Sequence, residues 1–177
     1  MLFNQMCTTI IIPVINMYSC LLLNKSVLFR DIKPANIGIS FDDVPQVFDF
    51  GLATELKEKN KTGDGRYLIT PMSGTRRYMA PEVYLGESYG LPADVYSITL
   101  MLWEVLAIAV PFKKMNERQH AKFVYVANRR PKVERGWPAA MTKLLKRGWA
   151  RDPKVRPTME EFREIVHQVY VALKITG

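Results

Sequence analysis

The sequence predicts a mainly α-helical fold carrying one small β-hairpin, and three stretches predict it. Val95 to Leu106 is almost wholly apolar and opens on Asp94, an acidic residue where a helix start favours one. Apolar residues all round a helix imply burial on every side. Phe162, Ile165, Val166, Val169, Tyr170 and Leu173 then recur at helical spacing and make one apolar stripe. The hairpin comes from Ile37-Gly38-Ile39 and Gln46-Val47-Phe48, separated by the turn residues Phe41 to Pro45.

Length and composition set the frame. A chain of 177 residues makes one domain of ordinary size with a sizeable core. Its 48% hydrophobic and 24% charged content is that of a globular protein. Cys7 and Cys20 are too few for a disulfide framework and lack metal-site spacing, so an intracellular, cytoplasmic protein is expected. The net charge of +8 is uneven: Lys113 to Arg156 holds fourteen Lys or Arg against three Asp or Glu. No nucleic-acid-binding motif accompanies that excess, and its charges alternate with apolar residues as on solvated helices. Nucleic acid is therefore not an expected partner.

Taken in order, Met1 to Asn24 carries no charge. A secretory signal would place positive charge before its apolar run, whereas the first lysine is Lys25. A membrane span needs about 20 predominantly apolar residues, and Thr8, Thr9, Pro13 and Asn16 weaken that case without removing it. The favoured reading is a core helix over Tyr18 to Leu23, with Met17, Cys20 and Leu21 among its buried positions. Further on, Lys57 to Arg66 is polar, holds Gly63 and Gly65, and reads as a mobile loop. Pro111-Phe112 ends the helix that Asp94 opens, Met115 to Asn128 forms another, and Met141 to Trp149 has helical spacing. Thr158 with Glu161 is a capping box at the start of the last helix.

The chemistry gathers in Val27-Leu28-Phe29-Arg30-Asp31-Ile32-Lys33-Pro34-Ala35-Asn36 and in Val47-Phe48-Asp49-Phe50-Gly51. Asp31 and Lys33 are two apart, so on an extended backbone they share a side. Asn36 and Asp49 offer the hard oxygen donors that magnesium prefers. A carboxylate to take a proton, an ammonium beside phosphate and two metal-binding oxygens together make a phosphoryl-transfer set.

D-x-K-P-x-N followed by D-F-G resembles the catalytic and metal-binding loops of eukaryotic-type protein kinases. Gly74-Thr75, Ala80-Pro81-Glu82, Asp94 and Arg156 follow in that family's order, and the resemblance covers Ser19 to Lys174. It implies a serine/threonine type with tyrosine-kinase-like features: Lys33 and Gly74-Thr75 mark the first, Asp94-Val95-Tyr96-Ser97 and Leu102-Trp103-Glu104 the second. Residues 1–17 are then an unassigned apolar segment and 18–175 the large, C-terminal lobe of a kinase domain. By resemblance, Asp31 accepts the substrate hydroxyl proton and Lys33 steadies the transferred phosphoryl, while Asn36 and Asp49 hold Mg2+ of bound ATP. Thr75 would hydrogen-bond Asp31 and Lys33, Asp94 would brace the catalytic backbone, and Arg156 would form a buried ion pair with Glu82. Phe50 and Gly51 complete the metal loop. Arg30 resembles that of kinases switched on by loop phosphorylation, which makes Thr70 or Ser73 a candidate site for an upstream activating kinase.

Three positions depart from the pattern, and one motif is missing. Phe29 stands where most kinases have His, and it keeps a ring to stack beneath Phe50 but loses hydrogen bonds. Gly38 replaces an apolar side chain expected under the adenine. Gly148 replaces a common Cys and reads as neutral. No G-x-G-x-x-G occurs anywhere, so the N-terminal lobe is absent and the chain reads as a C-lobe fragment. Two functions follow: a serine/threonine kinase acting on protein hydroxyls, or a catalytically inactive kinase-like binding module or scaffold.

Overall fold

Among the described residues, four short strands pair in a nested fashion, and this nesting sets the two candidate-site loops. The computed structural model describes residues 12–23, 27–42 and 44–176. Strand β1 (Val27–Leu28) pairs antiparallel with β4 (Thr54–Glu55), and β2 (Ile37–Ile39) pairs antiparallel with β3 (Pro45–Val47). Each outer strand runs into an inner one through a loop, so the loops 29–36 and 48–53 lie side by side. The inner hairpin is the expected one, shifted by one residue: Ile39 faces Pro45, and Val47 closes the ladder opposite Ile37. Proline is tolerated there because it opens the strand.

The helices are α1 (Ile12–Leu23), α2 (Pro81–Tyr84), α3 (Leu91–Ala107), α4 (Glu117–His120), α5 (Ala139–Gly148) and α6 (Met159–Thr176). Helix α1 starts six residues before the expected Tyr18. Pro13 sits in its first turn, where its missing N–H removes nothing the helix needs, and Val14, Ile15 and Tyr18 are buried. The expected burial of Met17, Cys20 and Leu21 concerns side chains outside the described residues. No described helix is long and apolar enough to cross a membrane.

Helix α3 is the axis. Every residue from Ala93 to Trp103 is buried, as its unbroken apolar composition requires. It stops at Ala107, before Pro111, because Ile108 takes a left-handed backbone (φ 48°) whose N–H closes onto Glu104 and Val105. Gly148 is not neutral: it lies where α5 meets α3, and a Cβ there would overlap the side chain of Thr99. The segment after Met115 begins as α4, with Asn116 and Gln119 forming a reciprocal cap, then widens into a π-helix over Ala121–Val126. In α6, Thr158 Oγ1 accepts from Glu161 N at 3.1 Å. The Glu161 carboxylate answers to Arg147 more strongly than to the Thr158 amide, which draws its pKa down.

The stretch expected as a mobile loop is folded back on itself. A 3-10 turn covers Glu58–Asn60, Leu68 N donates to Asn60 O, and Tyr67 bridges both Lys61 and Tyr89. Thr62, Asp64 and Arg66 hydrogen-bond across its tip. On the opposite side, beneath the hairpin, a cavity of about 240 Å³ is lined by Val14, Ile15, Ile37, Met101, Leu102 and Val105.

Candidate active site

Asp31 is buried at the centre of the loop between β1 and β2, and every neighbour of its carboxylate is a donor. Lys33 Nζ donates to Oδ2 at 2.6 Å and Asn36 Nδ2 to the same oxygen at 3.2 Å. From 44 residues away, Thr75 N donates to Oδ1 at 2.7 Å, while its hydroxyl accepts from Lys33 Nζ at 2.9 Å. Asn36 also donates to the Asp31 carbonyl at 2.9 Å. Burial pushes the Asp31 carboxyl up, but the bonds from Lys33 and Thr75, with the Lys33 charge, outweigh it and hold the pKa below its ordinary value.

The chain can bring Thr75 so close because residue 74 is glycine. Gly74 has φ 113°, and a Cβ there would run into the Arg30 carbonyl oxygen. The loop backbone is braced from below by Asp94, whose Oδ2 accepts from Phe29 N at 2.6 Å and Oδ1 from Arg30 N at 3.0 Å. Asp94 is fully enclosed, and burial pushes its carboxyl up to about 6 despite the two amides and the Arg30 charge. Arg30 takes a left-handed backbone (φ 70°) and donates its Nε to Leu52 O, while its buried Nη1 has no partner.

Asp49 is bracketed by residues that touch the Asp31 loop. On one side Phe48 N donates to Asn36 O at 2.8 Å, and on the other the Phe50 ring meets Phe29 at 4.9 Å. That ring pair is edge-on at 63° rather than stacked, and Tyr18 also meets Phe29 edge-on, at 5.5 Å. Asp49 is exposed, adopts φ 63°, and accepts from Gly51 N at 3.1 Å. Asn36 commits its NH2 to Asp31, which leaves its oxygen as the free end. Asp49 thus offers an exposed carboxylate and Asn36 a buried amide oxygen, both hard donors of the kind magnesium prefers. The surface lost at Gly38 is filled from just past β3: the Phe48 ring, about half exposed, lies over the glycine where a side chain would stand.

Two acid–base partners set the frame. Arg156 and Glu82 meet in a bidentate pair at 2.6 and 2.9 Å with side chains 0% and 4% exposed. Arg156 also donates to the carbonyls of Ala150 and Pro92, tying α2, the start of α3 and the end of α5 together. Tyr96 lies against Arg156 and Arg130, 5.1 and 5.2 Å from its ring. Sequence reasoning gave no site role to Phe48, Tyr96, Arg130 or Tyr125; the Tyr125 hydroxyl donates to the Arg76 carbonyl at 2.6 Å. Phe48 was detectable, being the large apolar residue diagonal to Gly38 across the hairpin. Tyr96 and Tyr125 carry no signal beyond an apolar position on a helix.

Comparison with known proteins completes the picture. The family model of the protein kinase domain matches residues 6–171. The serine/threonine-protein kinases STY17 and STY46 of Arabidopsis thaliana are 33% identical over 145 residues and 34% over 153, which is 82% and 86% of this chain. Mitogen-activated protein kinase kinase kinase 7 of Bos taurus is 31% identical over 144 residues, 80% of this chain. The chain spans 24%, 25% and 23% of the length of these relatives, about a quarter in each case.

Proposed function

Because the chain belongs to the protein kinase family, we propose that it supplies the acceptor and metal side of a serine/threonine kinase site, moving a phosphoryl group from Mg-ATP to a protein hydroxyl. The observation that carries this reading is the buried Asp31 carboxylate gripped by Lys33, Asn36 and Thr75. Oδ2 already accepts from both Lys33 and Asn36, whereas Oδ1 accepts from Thr75 N and keeps capacity for a further donor, which a Ser or Thr hydroxyl of the substrate can be. With its pKa drawn down, Asp31 is a weak base, so it orients the hydroxyl first and takes the proton late. Lys33, already held by Thr75 and Asp31, places its charge beside the position of transfer. Asn36 and Asp49 would hold magnesium, and Mg-ATP supplies the phosphoryl group. Phe48 offers its half-exposed ring as the apolar surface that Gly38 lacks.

The regulatory partner in this reading is an upstream kinase acting on Ser73 rather than Thr70. Ser73 lines the small cavity that also holds Arg30, whose unpartnered Nη1 is the donor a phosphate needs. Thr70 faces solvent, its carbonyl taken by Tyr89. Full activity with both hydroxyls changed to Ala would count against this partner.

The test expresses the longest product of the transcript that carries this sequence, with Asp31 intact and as Asp31→Asn. Each is incubated with magnesium and γ-labelled ATP and dephosphorylated casein. Label on casein Ser or Thr that disappears with Asp31→Asn or on chelation supports the reading. Label that survives Asp31→Asn overturns the assignment of Asp31, and no transfer by either product overturns catalysis in favour of a binding module.

A further inference from the structure

Arg76 follows Thr75 directly, so it sits one residue from the amide that holds Asp31. Its backbone is pinned on two sides. Its carbonyl accepts from the Tyr125 hydroxyl at 2.6 Å and from Met79 N at 3.2 Å. Tyr125 is itself immobilised, stacked on Tyr84 at 4.0 Å and edge-on to His120 at 5.0 Å. The side chain is left outside this anchor, 48% exposed, pairing at 2.6 Å with Glu117, which is 80% exposed. A guanidinium fixed in position, yet satisfied only by an exposed carboxylate, is one that an arriving carboxylate can take over.

The surroundings favour that exchange. Arg77 donates to the Pro111 carbonyl, and Lys113 and Lys114, two and three residues further on, are exposed. Arg118 follows Glu117 on α4 and is also exposed. Glu117 is the acidic group that faces Arg76 among the described residues.

We propose that Arg76 selects substrates carrying an acidic residue beside the acceptor Ser or Thr, with Glu117 occupying the guanidinium until such a residue displaces it. The inference rests on the kinase reading for what the acceptor is, but recognition by Arg76 is a binding event measurable without phosphoryl transfer. An exposed pair is worth up to about 1 kcal/mol, or roughly a fivefold change in affinity.

The probes are fluorescein-labelled Ser peptides with Glu, Gln or Lys flanking the serine, and a fourth with the same Glu residues placed eight positions away. Anisotropy measures their affinity for the chain and its variants, with circular dichroism confirming that each variant is folded. The flanking-Glu peptide is expected to bind about fivefold tighter than the Gln peptide. Glu117→Gln tightens it further, Arg76→Gln removes the preference, and Arg76→Glu inverts it towards Lys. Equal affinity for Glu and Gln peptides, no binding of any peptide, or a preference that survives Arg76→Glu overturns the proposal. So does equally tight binding of the displaced-Glu peptide, which would mean a diffuse basic field instead. Asp31→Asn separates the two readings. Loss of transfer with the peptide preference kept agrees with both, preference without transfer in the parent sinks only the kinase reading, and transfer without preference sinks only this one.

Discussion

Glu82 and Arg156 are 74 residues apart in sequence and form the most deeply buried ion pair described, which makes it the sharpest probe of the architecture. Changing Glu82 to Leu leaves a guanidinium with no exposed side-chain area and no counter-charge, and Arg156→Met does the same to the carboxylate. Breaking such a pair from one side costs about 3–5 kcal/mol. A domain of this size holds about 5–15 kcal/mol in all, so either single change removes a large share. At about 2–4 °C per kcal/mol, the melting temperature falls by about 6–20 °C. Joining both changes removes the stranded charge, and what remains is the loss of the donors to Pro92 and Ala150, about 1 kcal/mol each. The double variant is therefore more stable than either single one. Urea unfolding followed by the fluorescence of the buried Trp103 and Trp149 reads all three. A single variant losing less than about 1 kcal/mol, or a double variant losing the sum of both, refutes the reasoning.

Gly74→Ala forces a Cβ towards the Arg30 carbonyl at a left-handed backbone, and the loss expected is about 1–3 kcal/mol, with the Thr75 amide signal shifting away from its Asp31-bonded position in NMR. Lys33→Met removes both a hydrogen bond and a charge from Asp31, so the Asp31 pKa rises; carboxyl carbon NMR titration measures it, and an unchanged value contradicts the geometry. His120, wedged between Phe112 and Tyr125, has its pKa lowered to about 4 by burial and the Arg77 charge. Between pH 6.5 and 4 the unfolded chain binds the extra proton, so the stability this neutral ring contributes is full above 6.5 and lost as pH falls; His120→Phe flattens that part of the stability–pH curve.

The apolar run of α3 announced its own burial, and Asp31, Lys33 and Asn36 were legible because they lie within six residues of one another. Asp49 was legible from the Asp49-Phe50-Gly51 run, but the pairing of β1 with β4 that frames its loop was not, because strands of two residues are too short to show any alternation. The early start of α1 was hidden by Pro13, which reads as a breaker unless its place in the first turn is known. The π-helix over Ala121–Val126 has no composition of its own, since it differs from an α-helix only in where its hydrogen bonds close. Gly148 looked neutral because nothing local reveals that Thr99 approaches it from another helix. The polar tract after Lys57 reads as a mobile loop on composition, and composition carries no sign of the bridge between Tyr67 and Tyr89.

The carboxylate of Asp94 reaches past the first turn of its own helix to hold two amides that belong to no regular element. Those two protons, on Phe29 and Arg30, cannot be given up to solvent by a local excursion of the loop alone, because their acceptor is anchored in the most buried segment of the molecule. In deuterium oxide they exchange on the schedule of global unfolding, as slowly as the middle of α3. The loop thus inherits the lifetime of the helix that carries its acceptor.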